Sequence, residues 1–194
     1  MATKKAVEPK PYHHGNLKEE FIVKGLEYID KYGIESLSMR KLAESIGVSS
    51  AAPYAHFKNK DAFLDAIQEL ITNSLTEALE EANENCTNRR KILIDLGKAY
   101  VYFFYNNPLY FQFLFARRSI DINTFPPFQF YSEIAKATLK EMHTKRLSSK
   151  AIRLKTIAMW AEVHGIAQFT LMDGVLDSDK LDEEIEGLMC ALDV

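Results

Sequence analysis

Long uncharged apolar runs are missing from this 194-residue sequence. No stretch approaches the roughly 18 to 20 apolar residues that a membrane-spanning helix needs, and Met1 to Lys10 carries charges with no apolar block behind it. The expectation is an unexported, cytoplasmic protein. Cysteine is scarce: Cys86 and Cys190 lie far apart, without the spacing of zinc ligands, which fits two reduced thiols and excludes a disulfide framework. His13 and His14 have no Cys or carboxylate at ligand spacing, so no metal is expected. Only eight Gly and six Pro occur, strand-type alternation is absent, and apolar residues recur every three and four positions. The fold class that follows is all-α.

The net charge of −3 conceals a polarity. Residues 1–60 hold ten Lys and Arg against seven Asp and Glu, while residues 61–194 hold 14 against 20. The basic end suits contact with nucleic acid, although a surplus this small is common in other domains.

About nine helices are predicted. The first runs from Asn16 to Tyr32, with Leu17, Phe21, Ile22, Gly25, Leu26 and Ile29 as its apolar stripe and Gly33 as its stop. The second starts after Ser38 as N-cap, turns Met39, Leu42, Ala43 and Ile46 inward, and ends at Gly47. Ser49 and Ser50 offer a cap for a stretch from Ala51 to Phe57, and Asp61 caps a long fourth helix reaching Asn83. Further helices are placed at about 89–106, 108–117, 126–145, 148–173 and 179–192, divided by Asn- and Pro-rich or Ser- and Gly-rich breaks. Three regions result: a basic arm over 1–11, a helix-turn-helix domain over 12–60, and a helical ligand-binding and dimerisation domain over 61–194.

Residues 38–57 are the most specific part. A DNA-reading helix-turn-helix needs a short supporting helix, a tight turn with a Gly, and a second helix whose exposed start is slim enough for the major groove. Ser38 to Ile46, Gly47-Val48-Ser49 and Ser50 to Phe57 supply these in order. Ser50 can exchange hydrogen bonds with base edges or phosphates, and the methyls of Ala51 and Ala52 can meet thymine methyls. Tyr54 and His56 reach towards flanking phosphates. Lys60 at a helix start can hold a phosphate together with the helix amides. Lys4, Lys5 and Lys10 form either a DNA-following arm or a solvated tail. Pro53 is tolerated if Ser50 is the cap or the first turn is 3₁₀-like, and costs one bond if Ser49 is the cap.

Leu37-Ser38-Met39-Arg40-Lys41-Leu42-Ala43, Gly47-Val48-Ser49, Tyr54-Ala55-His56-Phe57, Lys58-Asn59-Lys60 and Phe63-Leu64 together resemble the DNA-binding domain of the TetR family of transcription regulators. The resemblance spans residues 16–64. It implies a homodimer that binds double-stranded operator DNA, with Ser38, Ser50, Tyr54, His56 and Lys60 at the DNA and Phe57 as the aromatic anchor of the recognition element; the neighbouring Ser49 and Ala51 complete the candidate DNA-binding set. Trp160-Ala161-Glu162-Val163-His164-Gly165 is similar to the Trp-x-x-x-His-Gly signature of a C-terminal subdivision of that family.

Aromatic residues crowd positions 100–131. Most are ordinary core, yet the same segment in the family lines the effector pocket, so Phe103, Phe104, Phe111, Phe128, Trp160 and His164 are the candidates for binding a small-molecule effector. Trp160, His164 and Gln168 share one helix face. Dimerisation is expected through the last two helices, with Ile152, Ile157, Trp160, Leu171, Leu181, Ile185, Leu188 and Leu192 offering apolar surface. Arg117-Arg118 reads as a solvated helix end. No cofactor is implied, and no nucleophile-base pair, metal motif or phosphate loop is present, so binding without turnover is expected. The alternatives are a ligand-blind helical interaction module and a helical enzyme.

Overall fold

The helices begin and end where local chemistry requires it. The computed structural model describes residues 17–115, 120–142 and 147–191, apart from the Arg90 side chain. Helix α1 spans Leu17–Tyr32 and buries Phe21, Ile22, Gly25, Leu26 and Ile29, the three-and-four spacing of one helix face. Gly33 stops it at φ 80°, its amide donating to the Ile29 carbonyl at 2.9 Å. Helix α2, Met39–Ile46, buries Met39, Leu42 and Ala43. Gly47 follows at φ 82°, and the amides of Gly47 and Val48 close on the carbonyls of Glu44 and Ala43. A side chain at this left-handed position is strained, so Gly47→Ala will destabilise the N-terminal unit by about 1 kcal/mol, read as a lower urea midpoint with unchanged slope.

The recognition segment is shorter than predicted. The stretch from Ala51 to Phe57, expected to be helical with either a Ser50 cap or a 3₁₀-like first turn, forms a four-residue 3₁₀ turn, Ala52–Ala55, with Pro53 in its first positions. Amides of Ala52 and Tyr54 donate three residues back, to Ser49 and Ala51. The amide that would meet the Ser50 carbonyl is the one proline lacks. Neither Ser49 nor Ser50 caps the turn; Ala51 holds that position without a side-chain bond. Helix α3 covers Lys60–Asn85, and its cap is Asn59, whose Oδ1 accepts from the Ala62 amide at 2.8 Å, rather than Asp61.

The chain divides into two units, with the boundary between Ala66 and Ile67 inside α3. In the first unit Phe21, Leu42, Phe57 and Phe63 form the centre. The Phe57 ring meets Phe63 edge-on at 4.9 Å and Phe21 at 6.2 Å. Gly25 lets α1 approach that core, because a Cβ there would collide with the Phe63 ring.

The second unit is built on α4, Ile92–Asn106, which packs against α5 (Pro108–Phe115), α6 (Pro126–Met142), α7 (Ser149–Phe169) and α8 (Leu181–Ala191). Ile67, Ile71, Leu75 and Leu79, one turn apart on α3, are fully buried. Ser148 caps α7 by accepting from the Ala151 amide. Helix α7 ends four residues earlier than the expected 173, at Phe169. A polar tie holds α8 to α4: Lys98 Nζ lies 3.0 Å from Asp182 and 2.6 Å from Glu186, Tyr102 donates to Asp182, and Lys91 reaches Glu186. Among the described residues all regular structure is helical, and no helix is long and apolar enough to cross a membrane.

Four of the residues expected at a dimer surface serve the chain's own core instead. Ile152, Trp160, Leu181 and Ile185 are all less than a tenth exposed. Sequence spacing places them on an apolar face, but a long helix in a bundle has apolar residues on more than one face, and periodicity does not say which face looks inward. Leu192 lies outside the described residues, as do the basic arm with Lys4, Lys5, Lys10, His13 and His14, and the Arg117-Arg118 pair.

Candidate DNA-contacting face and effector cavities

In the first unit, buried and exposed residues alternate so as to present one small polar surface. Pro53 and Phe57 are buried, while Ser49, Ser50, Ala51, Tyr54 and His56 are exposed, Tyr54 by 56%. The turn is fastened at its far end by the amides of His56 and Phe57, both donating to the Pro53 carbonyl. Ser38 occupies the N-cap position of α2 at φ −126°, yet its hydroxyl makes no capping bond to that helix. Its oxygen and the first amides of α2 therefore remain able to meet an anion. Lys60 differs from expectation: its Nζ donates to the Ile34 carbonyl at 2.8 Å, tying the start of α3 to the loop after α1. Two of its three donors stay available.

A short turn that is apolar inside and presents hydroxyl, methyl and phenol groups outside, behind a supporting helix and a glycine turn, is the arrangement of a major-groove reader. Residues 21–67 match the profile of bacterial regulatory proteins of the tetR family. The match covers the supporting helix, the glycine turn, the 3₁₀ turn and the start of α3. Tetracycline repressor protein class G of Vibrio anguillarum is 44% identical over 69 residues, covering 35% of this chain. The matched TetR-family segment is only 33% of that repressor's length. Similarity to solved structures runs further along the chain. A protein of unknown function from Rhodococcus sp. RHA1 aligns over 94% of this chain and 96% of its own, with a TM-score of 0.72 and 28% identity. A TetR-like transcriptional regulator from Rhodococcus sp. RHA1 aligns over 92% and 97%, with a TM-score of 0.70 and 16% identity. The whole described chain thus has the fold of a TetR-type regulator.

In the second unit Phe103 and Phe128, two of the six effector candidates, border different openings. Phe103, half-buried, lines an open groove of about 400 Å³ between α3 and α4, together with Glu81, Asn85, Tyr102 and Asn106. Phe128 lines a different cleft, between α6 and α7. Phe104, Phe111 and His164 pack in a chain, and Tyr100 joins them to Trp160; none of the four lines either opening. His164 stacks on Phe111 at 5.0 Å and meets Phe115 edge-on at 4.5 Å. Trp160 is enclosed by Tyr100, Phe125, Phe128 and Tyr131 at 4.8 to 6.5 Å.

The residue that sequence reasoning missed here is Tyr100, whose hydroxyl lies 2.8 Å from His164 Nδ1. Burial holds the Tyr100 phenol well above its ordinary pKa and pushes the His164 imidazole below its own. A protonated phenol beside a neutral ring donates to Nδ1, which leaves the ring proton on Nε2. No sequence signal linked the two, because they are 64 positions apart. The pair carries a pH signature. A histidine whose folded pKa is depressed takes up a proton more readily when unfolded, so its contribution is complete above the ordinary value near 6.5 and declines as pH falls through that value. The melting temperature will drop between pH 7.5 and pH 5.5, and His164→Gln, scanned calorimetrically over the same range, will flatten that slope. A separate decline follows at lower pH, where protonation of Asp182 and Glu186, both held below the usual carboxylate range by their bonds to Lys98, releases α8 from α4.

Proposed function

We propose that the chain is a DNA-binding transcription regulator of the TetR type, working as a homodimeric repressor that a small-molecule effector releases from its operator. The observation that carries this is the exposed Ser50, Ala51, Tyr54 and His56 face on a turn anchored by Pro53 and Phe57, inside a segment with the tetR-family profile. Ser49 and Ser50 can bond base edges or phosphates, Ala51 can contact a thymine methyl, and Ser38, Tyr54, His56 and Lys60 hold the backbone. A dimer sets two such turns roughly 34 to 36 Å apart, one duplex turn, on a near-palindromic site.

Two features support a dimer through α7 and α8. Leu154, Phe169 and Leu188 are large, apolar and 37 to 51% exposed. Leu154 and Phe169 join Ala158, Ala161 and Gly165 along α7 at steps of three and four, and a Cβ on Gly165 would meet none of the described residues within 4 Å. Close approach of a second helix explains such a face. The effector acts by population shift: it favours a state in which the start of α3 no longer holds the turns at operator spacing. The Trp160 to Gly165 motif supports placing the C-terminal unit in the Trp-His-Gly subdivision.

The test is a gel-shift titration against the DNA upstream of the chain's own gene at several salt concentrations. Saturable, sequence-selective and salt-sensitive binding is expected, with Tyr54→Ala weakening it about tenfold as a lost phosphate contact does. Binding indifferent to sequence, or none, would favour an interaction module that keeps the fold without reading DNA.

A further inference from the structure

The cleft between α6 and α7 combines charge and apolar surface in a way the aromatic core does not. It encloses about 240 Å³ and is lined by Ile122, Asn123, Phe128, Ser132, Lys136, Arg153, Thr156 and Ile157. A neighbouring shelf of about 380 Å³ shares Asn123, Phe128, Ser132 and Lys136 and continues over Gln129 and Glu133. Two cations from different helices thus border one opening. Among the described residues neither forms an ion pair with a carboxylate; Lys136 reaches only the Ser132 hydroxyl, at 3.2 Å. Thr156, 1% exposed, donates its hydroxyl proton to the Ile152 carbonyl, and Ser132 donates to Gln129. Asp121, in the adjoining loop, accepts from the amide and side chain of Asn123. The hydroxyls and the loop carboxylate are therefore spoken for, and the positive charge is not.

Resting on the regulator reading for its consequence, we infer that this cleft takes a compact amphipathic organic monoanion, its carboxylate between Lys136 and Arg153 and its apolar body on Phe128 and Ile157. Three arguments set the class. Lys136 and Arg153 against Glu133 on the shelf leave one net positive charge, which suits a monoanion. A volume of 240 Å³ is about eight times the share of one water molecule in the liquid and falls below the range of drug-sized sites. Most of the lining surface is apolar, so a fully polar acid forgoes most of it. Arg153, Thr156, Ile157 and Trp160 lie at i, i+3, i+4 and i+7 on α7, about a third of a turn from Leu154, Ala158, Ala161 and Gly165. One helix therefore presents the cleft on one side and the dimer face on the next, so an acid that shifts α7 also shifts the seam.

The sequence contains a single tryptophan, Trp160, and its ring lies 5.3 Å from Phe128, which makes it a built-in reporter. The full-length protein is titrated with octanoate, with phenylacetate and with uncharged 1-octanol, following Trp160 emission and, independently, calorimetric heat. Saturable binding of at least one acid is expected, tenfold or more tighter than that of 1-octanol. Lys136→Gln and Arg153→Gln should each weaken the acid about tenfold and leave 1-octanol unchanged, while Lys155→Gln, exposed on the same helix outside the cleft, alters neither. Equal affinity for acid and alcohol, undiminished acid binding in both cleft variants, or no saturable heat or emission change with either acid overturns the assignment. Operator binding is assayed in parallel without acid. Its loss overturns the regulator reading and leaves the site standing, whereas intact operator binding with no acid bound overturns the site alone.

Discussion

A variant carrying both Leu154→Lys and Phe169→Glu will sediment as a folded monomer and lose roughly a thousandfold in affinity for a two-half-site operator. Both residues are large and apolar, at 51% and 44% exposure, on a face of α7 that the described residues leave largely open. Substitution there removes only part-buried side-chain packing, so helical content by circular dichroism should stay unchanged. In a dimer the same positions are buried, and an unpaired buried charge costs about 3 to 5 kcal/mol, enough for a few such charges to prevent association. The DNA effect follows from geometry: a lone unit holds one half-site, and the advantage of the second, tethered contact, typically 10² to 10⁴, disappears. A variant that stays dimeric, or a monomer that binds as tightly as the parent, would show that another face joins the copies.

The second large effect concerns Phe57. Its ring, 3% exposed, fills the space between Phe21 and Phe63, and its amide closes the recognition turn onto Pro53. Phe57→Ala removes a ring from a core of roughly fifty residues, which costs about 3 to 5 kcal/mol. A unit this small has little more than that in total. The expected result is loss of specific DNA binding together with a new low-temperature unfolding step, while the step assigned to residues 67–191 keeps its midpoint. Retained operator binding at 25 °C would mean that the turn holds its shape without the anchor.

Why the first unit was legible from sequence and the second less so has a physical answer. Gly33 and Gly47 do stop α1 and α2, because a left-handed residue at the end of a short helix leaves few alternatives. Met39, Leu42 and Ala43 do face inward, because a helix of eight residues has one face to bury. The cap of α3 was misread: Asp61 and Asn59 are both good caps, and only the observed bond from the Ala62 amide to Asn59 separates them. The 3₁₀ turn at Ala52–Ala55 was open in the sequence, since Pro53 fits either geometry. In the second unit the aromatic residues are plain to see, but their neighbours are set by helix packing. Nothing local distinguishes Phe104, fully buried beside Phe111, from Phe128, which borders a cleft. Lys136 and Arg153 carry no mark in the sequence, because their association exists only after α6 and α7 pair.

The proline in the recognition turn also bears on how such a protein can change its target. With Pro53 buried and lacking an amide, the element is poorly suited to winding into a longer helix, so a lineage cannot readily gain new base contacts by extension. On the regulator reading, altered preference comes through single replacements at Ser49, Ser50 or Ala51, the proposed base contacts, whose side chains are exposed and can vary without disturbing the interior. Drift in operator sequence should therefore be tracked by few positions, each nearly independent of the rest of the chain.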